Sequence, residues 1–233
     1  MYFDWTYVVL VLPCILFSLI ASSSVNSTFK KYSQQFSRRG ITGAQAAERV
    51  LRANGVTGVQ ITRVGGNLTD HFDPKSNVIR LSDSVYGSTS TAAIGVACHE
   101  AGHAVQYAQS YAPIKLRAAI IPVTNLGSKL AMPLILVGLL LSAFETVSYG
   151  FVYLGIACFV LSLVFQLITL PVEFNASRRA IRAIEDGELL TAEEQRGARK
   201  TLTAAAMTYV AATAVALGQL LRLLVLFGRR RDD

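Results

Sequence analysis

The chain has 233 residues, of which 52% are hydrophobic and only 16% are charged, with a formal net charge of +7 and a mean hydropathy of +0.42. A soluble domain of this size carries about a quarter charged residues, so the composition argues against an ordinary soluble protein and indicates a membrane protein. The positive charge then reflects Lys and Arg beside membrane segments rather than nucleic-acid binding, and three Cys in apolar surroundings do not make a disulfide framework.

The first apolar run covers residues 7–22 and is about long enough to span a bilayer. A cleaved signal peptide is the alternative, because residues 21–24 are small. However, Asp4 precedes the run without any Lys or Arg, whereas a signal peptide begins with basic residues. Basic residues follow at positions 30–39 instead, which favours an uncleaved anchor with its N-terminus outside. We therefore predict an N-terminal transmembrane anchor over residues 1–22.

Residues 23–130 are predicted to form a folded portion outside the bilayer. Thr42 begins a capping-box pattern, and the helix that it opens should end near Asn54. Alternating residues predict a strand over 59–64, and a turn separates it from a second short strand over 78–81. These strands predict a small sheet before the next helix. Its edge could hold an extended substrate by strand addition, or the strands could only pack on the helix.

The next helix carries the pattern H-E-x-x-H from His99 to His103. Two histidines four residues apart project from one face of a helix and can bind one metal ion. Zinc suits imidazole nitrogen best, so we predict that His99 and His103 bind Zn²⁺. Glu100 lies beside them, where it can take a proton from a water molecule that the metal acidifies. The chain has only three His, so a chance match is on the order of one in a thousand.

Residues 114–129 mix basic and apolar residues and fit an interfacial helix. Three further apolar runs follow this segment. Residues 131–172 predict a helical hairpin through the membrane, joined by a connection over 145–149 without Lys or Arg. Residues 173–203 are charged again. The chain then continues over 204–233 as a predicted C-terminal transmembrane helix and a basic tail.

The distribution of basic residues predicts an orientation. Of the 22 Lys and Arg, 12 lie in residues 23–130 and 6 in residues 173–203. The positive-inside rule therefore places both portions in the cytoplasm. Four full crossings would leave the arginines at 229–231 outside, against this rule. The sequence therefore leaves open whether the last apolar run crosses the membrane fully.

A third zinc ligand is expected, because a catalytic zinc normally has three protein ligands and one open position. No third His follows the motif. The first carboxylate after the hairpin is Glu173, at the point where the helix leaves the bilayer, and zinc would neutralise it there. Pairing of Glu173 with Arg178 or Arg179 is the alternative. The rival ligands are three carboxylates near a charged helix end: Glu185, Asp186 and Glu188.

Three blocks of sequence carry a family resemblance: residues 68–82, 99–106 and 171–174. In this order they resemble the YugP-type family of bacterial membrane-bound neutral zinc metallopeptidases, and the general plan is similar to that of the HtpX-like membrane peptidases. The resemblance covers nearly the whole chain. It implies that His99, His103 and Glu173 bind zinc and that Glu100 is the catalytic base.

The chain departs from these families at two positions. The YugP-type family usually has an acidic residue where this chain has Asn175, and HtpX-like enzymes have Asp where it has Ser177. Such a carboxylate would orient a ligand histidine, so Asn175 or Ser177 is expected to do so as a neutral acceptor. His71 is a candidate for stabilising the transition state, with a hydrogen bond to Asp70 or Asp73 in a turn as the alternative.

The expected fold is a mainly α membrane protein, with transmembrane helices and a small zincin-like α+β catalytic portion that has a short β-hairpin or sheet before the HExxH helix. The expected function is that of a zinc-dependent endopeptidase with one Zn²⁺ per chain. It would be a multi-pass protein of the cell membrane, with its active site at the cytoplasmic face. Its partners would be the lipid bilayer and protein or peptide substrates, membrane proteins among them, but no nucleic acid; the oligomeric state is open. The alternatives are a zinc-binding membrane scaffold or pseudopeptidase and an intramembrane zinc protease.

Overall fold

The computed structural model describes residues 4–141 and 145–228. A π-helical segment, Tyr7–Val11, leads into α1 (Leu12–Tyr32). The remaining elements are α2 (Gly43–Ala53), β1 (Gln60–Val64), β2 (His71–Asp73), β3 (Val78–Ser82), α3 (Asp83–Tyr86), α4 (Thr91–Ala108), α5 (Ala112–Leu140), α6 (Glu145–Asp186) and α7 (Ala192–Gly228). The chain is mostly helical with one small sheet, which confirms the expected fold class.

Four helices in the described part of the chain are long and apolar enough to cross a membrane. They are Tyr7–Tyr32, Ala112–Leu140, Tyr149–Asp186 and Ala192–Gly228. Each overlaps one apolar run of the sequence. The helices therefore fit a membrane protein.

The chain divides into two compact units. The helical unit takes the described parts of Met1–Ile20, Leu116–Leu170 and Tyr209–Asp233. The mixed unit takes Ala21–Lys115 and Pro171–Thr208, and contains the sheet and the H-E-x-x-H helix. Four long helices, α1, α5, α6 and α7, contribute residues to both units.

In the helical unit, the first helix packs closely against the C-terminal half of α7. A Cβ atom on Gly218 would lie 2.4 Å from the carbonyl oxygen of Leu10, so only glycine permits this approach. Farther along α7, Arg222 donates from Nε and Nη2 to Asp4 Oδ2 at 2.8 and 2.6 Å. This ion pair joins the start of the first helix to the end of the last one. The last apolar run therefore extends to the level at which the first begins, whereas the tail at 229–231 lies outside the described residues.

Two boundaries in the middle of the chain differ from the prediction. The interfacial helix predicted over 114–129 and the apolar run after it form one continuous helix, α5, with Pro122 and Pro133 inside it. Proline is tolerated in such a helix because neighbouring groups can hydrogen-bond the backbone atoms that proline leaves unpaired. Long basic side chains are tolerated because they extend their charged ends toward water. The connection predicted over 145–149 is also wrong, since α6 begins at Glu145. Residues 142–144, the end of the predicted second run, lie outside the described residues.

The mixed unit contains a three-stranded sheet in the order β1-β3-β2. Strand β1 pairs with β3 in parallel, with Gln60 opposite Val78, and β2 pairs with β3 antiparallel, with His71 opposite Arg80. The sequence predicted β1 and β3 and missed β2. Three residues are too few for a period-2 pattern to emerge, and β2 is recognised only by its pairing.

Helix α4 lies in the core of the mixed unit. Ser90 caps it by accepting a hydrogen bond from the backbone nitrogen of Ala93 at 3.2 Å. Small residues let other helices approach: a Cβ atom on Gly95 would lie 3.2 Å from the Cβ of Ala198 on α7. Helix α7 therefore packs close to the backbone of α4.

Candidate active site

Two helices of the mixed unit bring together His99, His103 and Glu173. The histidines lie one turn apart on α4, and Glu173 lies on α6 with 2% of its surface exposed. The two Nε2 atoms are 3.1 Å apart. Glu173 Oε2 lies 3.3 Å from His99 Nε2 and 3.5 Å from His103 Nε2. Three ligand atoms thus converge on one point, and this group could hold a metal ion.

These separations fit tetrahedral zinc. With zinc–ligand bonds of about 2.0–2.1 Å, neighbouring ligand atoms of a tetrahedron lie roughly 3.3–3.4 Å apart. The three measured separations, 3.1, 3.3 and 3.5 Å, bracket this value. Imidazole lone pairs and a carboxylate oxygen repel one another at such distances unless a cation lies among them. Two imidazoles and one carboxylate form a donor set that suits zinc and leaves a fourth position open.

Gly102 is the residue that lets α6 approach α4 at this site. A Cβ atom there would lie 2.9 Å from the carbonyl oxygen of Ala176, a backbone atom of α6. The close approach at Gly102 is therefore that of a second backbone. Ala176 lies three residues after Glu173, so the distance between these helices sets the position of the third ligand.

We expect Gly102→Ala to destabilise the protein by about 1–3 kcal/mol and to weaken zinc binding, because the added methyl group pushes α6 away from α4. Thermal unfolding and competition with a zinc-binding dye measure the two effects. Gly87→Ala is the control, since a Cβ atom there meets nothing within 4 Å. Equal melting temperatures and zinc affinities in both variants would contradict the argument.

The hydrogen bonds of Gln106 fix the tautomer of His103. The Gln106 amide nitrogen donates to the carbonyl oxygen of Val172 at 2.8 Å, and this oxygen can only accept. The Gln106 oxygen therefore faces His103 Nδ1, 3.0 Å away, and Nδ1 must carry the proton. Nε2 is then unprotonated and free to bind a metal. Sequence reasoning missed this role, although a polar residue three positions after His103 on an apolar helix was a usable signal.

The two neutral acceptors expected from the sequence occupy different positions. Ser177 Oγ lies 3.1 Å from His99 Nδ1, where it can accept the proton of that ring. Asn175 does not contact a ligand histidine directly. Its Oδ1 accepts hydrogen bonds from Gln106 Nε2 at 2.9 Å and from Arg179 Nε at 2.7 Å, and Gln106 in turn contacts His103. Each ligand histidine thus has an oxygen acceptor behind it, which orients its Nε2 toward the ligand group.

Replacing Gln106 with Leu is expected to weaken zinc binding by about 10- to 100-fold, because His103 loses the acceptor that sets its tautomer. Equilibrium competition against a chelator of known affinity gives the dissociation constant. Gln109→Leu is the matched control: it removes a glutamine one turn later, which is exposed and bonds Arg179 rather than a histidine. The proposed role of Gln106 fails if the two variants bind zinc equally well.

Glu100 lies on α4 beside the ligand group and is 8% exposed. Among the described residues no hydrogen bond to its side chain is observed, so its oxygens are available to a water molecule. Its negative charge acts on two neighbours. Burial disfavours the charged form of His103, in which Nε2 carries a proton and binds no metal. In that form hydrogen bonding to Glu173 and the charge of Glu100 outweigh burial and raise the pKa of His103. Burial raises the pKa of Asp70, and the nearby charge of Glu100 raises it further. Together these effects outweigh two hydrogen bonds from Ser82, which lower the pKa. The sequence did not predict that Asp70 lies near the site.

The remaining candidates lie in other surroundings. His71 is exposed at the start of β2, and its Nδ1 lies 2.8 Å from the carbonyl oxygen of Thr69, not from Asp70 or Asp73. Of the rival ligands, Glu185 pairs with Arg199 and Glu188 pairs with Arg39. Asp186 is exposed. None of these four residues belongs to the ligand group found among the described residues.

Two comparisons with known proteins give matches. A family profile described as "putative neutral zinc metallopeptidase" matches residues 7–228. The chain is also 44% identical over 227 residues to the "putative membrane protease YugP" of Bacillus subtilis (strain 168), which covers 97% of this chain and 99% of that protein. No solved structure matches the chain significantly.

Proposed function

The chain belongs to the "putative neutral zinc metallopeptidase" family, and from this premise we propose that it is a membrane-integral zinc endopeptidase. Zinc is the cofactor of this family. In this proposal His99, His103 and Glu173 hold the metal, and Glu100 is the general base. This extends the family assignment to named residues and to a mechanism.

The proposal rests on one observation: three ligand atoms converge beside the carboxylate of Glu100, which makes no hydrogen bond with the described residues. The ligand atoms His99 Nε2, His103 Nε2 and Glu173 Oε2 lie within 4.8 Å of one another. Glu100 follows His99 directly on the same helix. A scaffold site needs ligands alone, whereas hydrolysis needs a base beside them.

In the proposed mechanism zinc, when bound, supplies Lewis acidity toward the scissile carbonyl and the attacking water. Glu100 accepts a proton from that water as it attacks the carbonyl carbon. Glu100 then passes the proton to the nitrogen of the leaving amine, which departs as the peptide bond breaks. Gln106 and Ser177 hold the two imidazole rings in place throughout, so that no reorganisation is needed during the reaction.

The site is proposed to lie on the cytoplasmic side. Both segments of the mixed unit are rich in Lys and Arg, and the connection between α5 and α6 has none. Basic residues are retained on the cytoplasmic side of membranes. Helix α4 is not among the candidate spans in the described part of the chain, which disfavours an intramembrane protease. Proteins or peptides, membrane proteins among them, are the proposed substrates.

The proposal is tested by measuring zinc content and proteolysis on the same preparation. We expect the purified full-length chain in detergent to contain about one zinc per chain and to cleave an unstructured protein such as casein. A zinc chelator should abolish cleavage, and added zinc should restore it. Stoichiometric zinc without cleavage of casein or of a membrane-protein substrate would instead favour the scaffold or pseudopeptidase.

A further inference from the structure

A cleft lined by four arginines lies in the mixed unit. Its volume is about 490 Å³. Arg49 of α2 lines one side, Arg178, Arg179 and Arg182 of α6 line the other, and the only carboxylate among the lining residues is Asp186. Two separate helices thus direct cationic side chains into one concave surface.

Three of these arginines have no side-chain partner in the part of the chain that the structure describes. Arg49, Arg178 and Arg182 make no ion pair or side-chain hydrogen bond with the residues that the structure describes. Arginines elsewhere on the same unit are paired with carboxylates: Arg52 with Glu48, Arg63 with Asp83, and Arg199 with Glu185. With four arginines and one carboxylate, Asp186, among its lining residues, the cleft therefore carries an excess of positive charge.

Their spacing along α6 adds to this excess. Arg178 and Arg182 are four residues apart on one helix face, an arrangement in which like charges repel. Both also line a second, more apolar cavity, so they form the rim that the two cavities share. Arg179 differs from these two arginines, because Asn175 and Gln109 accept hydrogen bonds from its guanidinium group and fix its position in the cleft. An anion between Arg49 and the rim of α6 would relieve the repulsion.

We propose that this cleft binds a phosphate-bearing anion. A carboxylate has two oxygens and is satisfied by one bidentate arginine. A phosphate monoester has three acceptor oxygens and nearly two negative charges, which matches three unpaired guanidinium groups from two directions. The phosphate monoester belongs either to a lipid headgroup of the phosphatidic acid type or to a soluble molecule.

The cleft is a different site from the ligand group. Neither ligand histidine nor Glu173 lines it. Asn175 does line it, and Asn175 reaches His103 only through Gln106, which contacts Nδ1 rather than the metal-facing Nε2. The cleft therefore lies behind His103, and a peptide bond undergoing cleavage would not need to enter it.

The test measures binding and requires no proteolysis. The full-length zinc-loaded protein, purified in detergent and phosphate-free buffer, is titrated with inorganic phosphate by calorimetry. In a second arm, native mass spectrometry compares adducts of phosphatidic acid, whose headgroup is a phosphate monoester, with adducts of phosphatidylcholine. The cleft variant is Arg49→Gln/Arg182→Gln. The matched control, Arg52→Gln/Arg196→Gln, removes the same charge from exposed positions of the same unit outside the cleft.

Saturable binding of at least one probe is expected, with affinity falling at least about tenfold in the cleft variant because charge-assisted hydrogen bonds are lost. The control should stay within about threefold, since distant charges are screened. Arg49→Gln alone should show a smaller loss, which covers the case in which the double variant unfolds. Selective phosphatidic acid adducts identify a lipid source, and binding of inorganic phosphate alone identifies a soluble one. Equal losses in both double variants, or no saturable binding of either probe, overturn the proposal.

Discussion

Glu100→Gln should lower the rate of proteolysis by about 10²- to 10⁴-fold while zinc content stays unchanged. The amide has nearly the same shape as the carboxylate, so the mostly buried position next to His99 is filled as before. However, an amide does not accept a proton at neutral pH, and the attacking water loses its base. Initial rates on casein and zinc analysis of the same preparations measure both quantities.

The control for this variant is Glu48→Gln, which makes the same chemical change on the exposed surface of α2. We expect it to be as active as the unmodified protein. Undiminished proteolysis in Glu100→Gln would remove Glu100 from the mechanism. Loss of zinc together with activity would show that Glu100 supports the metal site instead.

Glu173→Gln is expected to weaken zinc binding by more than about 100-fold. This effect exceeds that of Gln106→Leu, because Glu173 binds the metal itself whereas Gln106 only orients a ligand. A neutral amide is a poor zinc ligand, and water has little access to the position of the Glu173 carboxylate, which is 2% exposed. The zinc dissociation constant of the full-length protein, measured by competition with a chelator, provides the test.

A matched variant distinguishes Glu173 from its rivals on the same helix. Glu185 lies three turns farther along α6 and pairs with Arg199. Glu185→Gln should therefore leave zinc affinity unchanged. If Glu185→Gln released the metal and Glu173→Gln retained it, the third ligand would have been assigned to the wrong carboxylate.

Local patterns predicted those elements whose signals lie within a few residues. Thr42 forms the predicted capping box with Gln45 that starts α2. The apolar runs predicted four long helices. Where local signals conflicted, as with the prolines of α5, or were too short, as with the three residues of β2, the prediction failed. In these places the environment, not local preference, determines the structure.

The sequence by itself determined that His99 and His103 share a helix face with Glu100, because the α-helical repeat sets that geometry without help from the rest of the chain. It also narrowed the third ligand to a few carboxylates, of which Glu173 was favoured. That these residues bind zinc stays a prediction until the variants are measured.

Only the tertiary structure decided which groups complete the site. Contacts that define it join residues far apart in sequence: Gln106 to Val172 across 66 positions and Ser177 to His99 across 78. Such pairings depend on how closely α6 approaches α4, and thus on the missing Cβ of Gly102 beside Ala176. No local pattern encodes that approach, since packing of two helices depends on the shapes of both surfaces together.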